Sequence, residues 1–380
     1  MNTLKSKITD KKAHIGIIGL GYVGLPLAVE FAKAGFHVTG IDIDKSRVSK
    51  IQKGISYILD VPSEDIKELV SSKKLNATHD KCVLNKTDVI IICVPTPLRK
   101  TKEPDISFIL SATEDIAANL RKGQLIILES TTYPGTTEEV ILSKLSADSL
   151  RVGKDFSLAF SPERVDPGNL KYKTKDIPKV VGGVTNGCTD LAKSLYSQII
   201  KEVVAVSSPR SAEMVKLLEN TFRAVNIGLI NELALMCDKM DLDIWEIIDA
   251  AKTKPFGFMP FYPGPGLGGH CLPCDPLYLS WKARSHGFET RLIELAAEIN
   301  LSMPHFVVDK VTSALNEHKK ALKGSRVLVI GVTYKKDVND MRESPALAII
   351  NSLNEKEAKV QYHDPLVTNF AVDGLKLDSV

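Results

Sequence analysis

Cys271 stands in the stretch GPGLGGHCLPCDP, residues 264–276, which sets a thiol on a glycine-rich turn with a carboxylate, Asp275, four residues on. A thiolate is the nucleophile of covalent catalysis at carbonyl carbon, and nearby cations or hydrogen-bond donors make it reactive at neutral pH. Glycines 264, 266, 268 and 269 permit positive φ and close approach of a ligand to the backbone, while prolines 265, 273 and 276 stiffen the loop. Cys271 and Cys274 also spell C-x-x-C, half of a zinc site or a redox pair. No second C-x-x-C or H-x-x-x-H completes such a site, so no metal is expected. A glycine loop with a purely structural role is the simplest competing reading.

The elements that must position this thiol begin with a dinucleotide fold. Residues 14–18, HIGII, read as a buried strand, followed at once by Gly19-Leu20-Gly21-Tyr22-Val23-Gly24 and a helical pattern over residues 25–34. In the Rossmann fingerprint the first glycine permits the tight turn, the second lets a pyrophosphate approach, and the third lets helix pack on strand, the helix N-terminus facing the phosphates. A second strand over residues 37–41 ends at Asp42, close to the expected spacing for the carboxylate that binds the adenosine ribose. An acid there disfavours the extra phosphate of NADP; Arg47 and Lys45 nearby are the opposing signal, and NAD is the expected cofactor.

Apolar runs over residues 88–94, 124–129 and 156–160 read as further parallel strands covered on both faces. Ligands in such sheets sit beyond the carboxyl ends, which places Val94-Pro95-Thr96 and Ser130-Thr131 against cofactor and substrate and puts Glu163 where a carboxylate can act on a ligand. Helix capping and turn formation account equally well for the threonines. Residues 211–239 form one long helix, with Met214, Leu217, Leu218, Phe222 and Val225 spaced for an apolar face; Lys216 and Asn220, four apart, project beside it. Residues 244–251 and 291–300 are helical too, so the middle of the chain is a helical block holding the cysteine loop. Residues 325–331 start a new strand, followed by a loop with Lys335, Lys336 and Arg342, a helix over 345–353 and a strand ending at Asp364. This is a weak internal repeat without the glycine fingerprint, better suited to a mononucleotide or phosphate.

The fold class expected is α/β: an N-terminal doubly wound parallel Rossmann sheet (1–207), a central helical domain with one long helix (208–305), and a C-terminal Rossmann-like domain (306–380). From residue 325 onward 56 residues remain, too few for a doubly wound sheet, so the last domain is expected to be incomplete. With 49 basic against 46 acidic residues the net charge is +3, which marks no nucleic-acid-binding stripe. No apolar run reaches the ~18 residues of a membrane span, and six scattered cysteines fit a reduced compartment. A cytoplasmic protein without membrane or nucleic-acid partners is expected, as is a homodimer through the long helix.

Six separated motifs then stand in one order: residues 19–24, ESTTYPG at 129–135, SPE at 161–163, EMVKLLEN at 213–220, the loop 268–275, and YKKD at 334–337 through RES at 342–344. In these the chain resembles, over essentially its whole length, the UDP-glucose and GDP-mannose dehydrogenase family. Within it, Gly-Gly-His-Cys, Pro-Glu-Arg followed by Asp-Pro-Gly, and Ile177-Pro178-Lys179-Val180 are most similar to the branch that oxidises UDP-N-acetylglucosamine. The resemblance implies a four-electron oxidation of the sugar's sixth carbon to a carboxylate, with two NAD used in succession and no metal. It implies Asp275 with Thr131 and a water as the base system, Cys271 as nucleophile, Lys216 and Asn220 as oxyanion donors, and Glu163 as activator of the hydrolytic water. It further implies Gly19, Gly21, Tyr22, Val23, Gly24, Asp42, Arg47, Val94, Pro95, Thr96, Ser130, Thr131 and Arg342 at the cofactor. Glu163, Arg164, Lys216, Asn220, Tyr262, Gly266, Gly268 and Lys335 are implied at the UDP-sugar.

Two departures bear on the sugar. UDP-glucose enzymes typically carry Arg-Ile-Gly where residues 254–258 read KPFGF, and many relatives have Lys at the position of Cys274. Both argue against UDP-glucose and for an N-acetylated hexose, with UDP-N-acetylmannosamine and UDP-glucose as the alternatives. A β-hydroxyacid dehydrogenase would need no thiol, and a non-catalytic NAD-binding relative would have lost one of Cys271, Lys216, Asn220 and Asp275, all of which are present.

Overall fold

A computed structural model describes residues 2–58, 60–99, 103–146, 150–164, 174–269, 272–372 and 374–380. It divides into two compact units, residues 1–218 and 219–380. The first is built on an eight-stranded sheet in the order β3-β2-β1-β4-β5-β6-β7-β8, with β1 His14–Ile18, β2 His37–Ile41, β3 Leu75–Thr78, β4 Val89–Ile92, β5 Leu125–Leu128, β6 Ser157–Phe160, β7 Lys179–Gly183 and β8 Val203–Ala205. Alternation explains why these runs are apolar throughout. Ile91 and Ile127 enter one core with Ile15 and Ile17, whereas Ile90, Ile92, Ile126 and Leu128 enter the core on the other face.

One pairing departs from the expected all-parallel sheet. β7 runs antiparallel to β6, with Phe160 opposite Gly182 and Ala159 opposite Gly183. Both glycines are sterically required, since a Cβ at 182 would lie 2.2 Å from the carbonyl of Ser208 and one at 183 would lie 2.3 Å from the amide of Thr189. The reversal has a functional consequence: the first residue of β7, not its last, comes to the carboxyl ends of the parallel strands.

The long helix is observed over Pro209–Lys239. Its expected single apolar face is split, because Leu217 is buried while Leu218 and Phe222 are exposed. In the second unit the helix begun at residue 291 does not stop at 300 but continues as Arg291–Glu317 through Pro304. Proline at 304 cannot donate to the carbonyl of Asn300, four residues back, and this is the oxygen that Gly266 approaches, 3.0 Å from where its Cβ would be. Among the described residues no helix is long and apolar enough to cross a membrane.

The second unit also holds β9 Arg326–Ile330, the helix Pro345–Glu355, β10 Lys359–His363 and a hairpin of β11 Asn369–Val372 and β12 Leu375–Asp378. The parallel pair β9 and β10 reproduces β1 and β2 residue for residue, from Arg326 opposite Lys359 to Ile330 opposite His363, as from His14 opposite His37 to Ile18 opposite Ile41. Gly19 and Gly331 then take φ of 91° and 84°, and each amide donates to the last carbonyl of the neighbouring strand at 2.8 Å. Leu20 N donates to Asp42 Oδ2 at 2.8 Å, and Val332 N to Asp364 Oδ2 at 2.9 Å. The internal repeat is thus a shared strand, glycine turn and aspartate lock.

Candidate functional site

In the first unit, the fingerprint glycines divide into two kinds. A Cβ at Gly19 would lie 2.5 Å from the carbonyl of Cys93 and one at Gly24 would lie 1.9 Å from that of Gly19, so the chain's own packing demands both. At Gly21 a Cβ would meet no protein atom within 4 Å. Glycine there is accounted for by a ligand at the backbone, the fit expected of a pyrophosphate at the N-terminus of the helix Gly24–Lys33. Tyr22 is exposed and Val23 half-buried beside it. Asp42 is held by the amides of Leu20 and Asp44, each at 2.8 Å, with Arg47 Nη1 at 3.5 Å, leaving a fixed carboxylate at the end of β2 suited to ribose hydroxyls. These residues fit NAD, which when bound accepts hydride.

Beyond β4 and β5 lie Val94, Pro95 and the buried Thr96, and then Ser130, whose Oγ donates to the carbonyl of Val94 at 2.7 Å and so ties the two loops together. Thr131 follows, half-buried. The turn after it is held by a residue of the long helix, Glu213, for which no role was expected. Glu213 accepts from Gly135 N at 2.6 Å, Thr137 N at 2.9 Å and Thr137 Oγ1 at 2.7 Å. Burial pushes its carboxyl up to about 7 against the pull of those donors. Lys216, one turn further along the same helix, is half-buried.

Glu163 was expected at a strand end, but its surroundings were not. Continuing the β6–β7 register past Phe160 and Gly182 sets Glu163 against Lys179, and Lys179 Nζ donates to Glu163 Oε2 at 3.1 Å. The same ammonium donates to Glu129 Oε1, to which Tyr196 also gives its hydroxyl through Oε2. Lys179, Glu129 and Tyr196 are buried. Burial, opposed by Lys179 and reinforced by Glu163, brings Glu129 up to about 7. Burial alone would lower Lys179, but the two carboxylates hold its ammonium above the usual lysine range. The available sequence signal was a charged residue directly after the apolar run LIIL and another inside IPKVV. Arg164 donates to the carbonyl of Pro178 at 2.6 Å, and its amide to Glu163 Oε1 at 2.7 Å.

In the second unit, Asn220 is buried on the long helix and gives its amide to Asp275 Oδ2, while Arg223 donates to Asn220 Oδ1. Asp275, also buried, opens the helix Asp275–Arg284 with Pro276 behind it. The structure therefore joins two of the expected site residues 55 positions apart. Cys271 and His270 lie outside the described residues, so Cys271 is placed only by its neighbours. On one side of it the glycine loop is locked: Gly264 N donates to Asn231 Oδ1 at 2.9 Å, Asn231 to Asn300 at 2.8 Å, and Asn300 to the carbonyl of Ala224 at 3.1 Å. Gly266 takes φ of 127°. A Cβ at Gly268 would lie 2.7 Å from Tyr334 Cβ, and Gly269 N donates to Arg342 O at 3.1 Å, so the loop 332–344 packs directly on the loop leading to the thiol. Lys335 is half-buried there and Arg342 pairs with Asp340 at 2.6 Å. Tyr262 stacks on Trp245, ring centroids 5.8 Å apart.

A doubly wound sheet with a pyrophosphate turn and a ribose carboxylate, followed by a helical block and a second nucleotide-type strand pair, defines an NAD-dependent oxidoreductase acting on a nucleotide-bearing substrate. The chain belongs to the UDP-glucose/GDP-mannose dehydrogenase family: its NAD-binding domain matches over residues 13–200, its central domain over 210–302 and its UDP-binding domain over 328–379. It is 39% identical over 362 residues to a UDP-N-acetyl-D-glucosamine 6-dehydrogenase from Pseudomonas aeruginosa, covering 94% of this chain and 84% of that protein. It is 38% identical over 356 residues to a UDP-N-acetyl-D-mannosamine dehydrogenase from Pyrococcus horikoshii, covering 93% of this chain and 84% of that protein. The solved structure of a UDP-D-ManNAc dehydrogenase from the same organism superposes with a TM-score of 0.87 at 37% identity, covering 93% of this chain and 84% of that one.

Proposed function

We propose that the protein oxidises the sixth carbon of a UDP-N-acetylhexosamine, in the first place UDP-N-acetylglucosamine, to the uronate through a covalent intermediate on Cys271. The observation that carries this reading is the buried Asn220–Asp275 pair, which sets an amide donor and a carboxylate together on the side of the cysteine loop that opens the helix Asp275–Arg284. NAD, when bound, takes a hydride in each of the two oxidations. Asp275 receives the hydroxyl proton of the sugar in the first, leaving an aldehyde. Cys271 adds as thiolate to the aldehyde carbon, and Lys216 and Asn220 stabilise the oxyanion of the thiohemiacetal. Loss of the second hydride from that carbon gives a thioester. Glu163 takes a proton from the water that attacks it, releasing uronate and the Cys271 thiol.

The Pseudomonas relative, by its name, supports the gluco sugar; the Pyrococcus relative and structure support UDP-N-acetylmannosamine as the second reading. Limiting UDP-N-acetylglucosamine with excess NAD is expected to yield two NADH per sugar by absorbance, with UDP-N-acetylmannosamine and UDP-glucose run in parallel. Two NADH from UDP-N-acetylmannosamine alone would move the assignment to that sugar, and none from any of the three would overturn the catalytic reading.

The same protein is proposed to be a homodimer through the long helix. Phe222, Leu229 and Met236, spaced seven apart, recur on one helical face and are all exposed, and Met240 just past the helix end is exposed too. An apolar stripe of this length on a monomer surface marks an interaction site, and a two-fold interface matches a helix against its own copy. Light scattering is expected to return twice the chain mass, and Leu229→Asp to return the monomer; a wild-type monomer at micromolar concentration would refute the dimer.

A further inference from the structure

Behind Glu163 lies a buried chain of polar groups that the reaction outlined above leaves without work. Tyr196 Oη donates to Glu129, Lys179 Nζ donates to both Glu129 and Glu163, and the same ammonium lies 5.2 Å from the centre of the Tyr196 ring. Four elements contribute: Glu129 follows β5, Glu163 follows β6, Lys179 opens β7, and Tyr196 closes the helix Asn186–Tyr196. Among the described residues, the titratable groups facing one another here include the two carboxyls, the ammonium, the tyrosine and the buried Cys93 thiol, which burial and Glu129 push well up.

A structural ion pair needs one acid for one base, and even that is often no more stable than apolar residues of the same volume. Two carboxylates around one buried ammonium make a cluster of net charge −1 when both are ionised and zero when one carries a proton, and Glu129, brought up to about 7, passes between these states near neutral pH. The antiparallel turn of β7 is what brings the ammonium to the strand ends where Glu163 stands.

We propose that Lys179 and Glu129, with Tyr196 behind them, are positioning residues for Glu163: Lys179 fixes the orientation of its carboxylate, and the protonation of Glu129 sets how far that carboxylate is neutralised. The proposal rests on the reading that Glu163 activates the hydrolytic water. With Glu129 neutral, Lys179 is committed to Glu163, which is then a weak base. When Glu129 ionises it draws on the same ammonium, and Glu163 takes the proton of the attacking water more readily. Hydrolysis of the thioester therefore speeds up as Glu129 loses its proton, a change that leaves both hydride transfers untouched.

The test uses the full protein with NAD and whichever of the three UDP-sugars gives uronate, following NADH through the first turnover and into steady state. Lys179→Met leaves Glu163 unoriented and the two carboxyls without the ammonium that lets both ionise; it is expected to keep a burst of two NADH per subunit, to lose steady-state rate by roughly a hundredfold, in the range of general-base removal, and to accumulate a sugar thioester seen as added protein mass. Glu129→Gln, isosteric and neutral, is expected to fold, and to abolish the rise in steady-state rate that the wild type shows between about pH 6 and 8. A Lys179→Met protein in which burst and steady state fall in equal proportion would indicate mere loss of folded enzyme and overturn the proposal. So would a Glu129→Gln profile superimposable on that of the wild type. Should Lys179→Met yield no folded protein, the Glu129→Gln profile decides alone. Wild-type protein that makes no uronate from any of the sugars overturns both this proposal and the functional reading, whereas active wild type with an unaltered Glu129→Gln profile removes only this one.

Discussion

Replacing Cys271 by serine is expected to cut steady-state uronate formation on the order of a thousandfold or more, the scale on which catalytic nucleophiles are lost, while hydride transfer from the alcohol continues. Taking a hydride from the sixth carbon needs a base and a bound cofactor but no thiol. The aldehyde stage is different, because a serine hydroxyl is essentially never ionised near neutral pH, whereas a thiol with ordinary acidity already supplies a few per cent of thiolate. The loop should not move in the variant, since its described part is held by Asn231, by Tyr334 and by the backbone of Arg342, none of which depends on the sulfur. Rapid mixing with limiting UDP-sugar should show NADH falling from two per sugar toward one, with aldehyde trapped by a hydrazine reagent. Uronate made at the wild-type rate would eliminate Cys271 as the nucleophile.

Glu213→Ala is expected to cost several kcal/mol of stability, on the order of 3–5 from the three donors it would strand. The amides of Gly135 and Thr137 and the Thr137 hydroxyl all end on this one carboxylate, and both Glu213 and Thr137 are buried, so water does not replace it cheaply. Thermal unfolding should begin about 10 °C lower, at the few degrees per kcal/mol usual for a domain of this size. Because the turn it holds follows Ser130 and Thr131, the KM for NAD should rise in the same variant even below the unfolding temperature. An unchanged melting curve would mean that the turn stands without the helix, contrary to the bonding described.

Much of this was legible in the chain because periodicity and glycine chemistry are local. The strands at 14–18 and 37–41 and the helix at 244–251 emerge at the expected residues, and the doubly wound order follows from continuous apolar runs with a fingerprint turn. What escaped was set by partners distant in sequence. Strand direction leaves no mark on composition, so the reversal of β7 was not readable, and with it went the placement of Lys179 against Glu163 and Glu129. Glu213, in the same helical run as Lys216, carries no signal of its own in the sequence; only the amides of a turn 76 to 78 positions away mark it. The helix past Pro304 was missed because proline marks a boundary on average, and here the freed carbonyl of Asn300 is used by an approaching glycine.

Asp42 and Asp364 occupy the same place in the two repeats, each gripping the backbone two residues after the end of the neighbouring strand. In the second, burial would raise the carboxyl, but the amides of Val332, Leu366 and Val367 hold it below the ordinary range. Since the grip occurs in a copy that lacks the pyrophosphate glycines, it does architectural work that needs no bound ribose: it closes the crossover between the paired strands. In the first copy the carboxylate suited to a ribose is therefore also the one that holds the turn. Engineering toward NADP would have to supply a substitute latch for Leu20 and Asp44 before any phosphate could be welcomed.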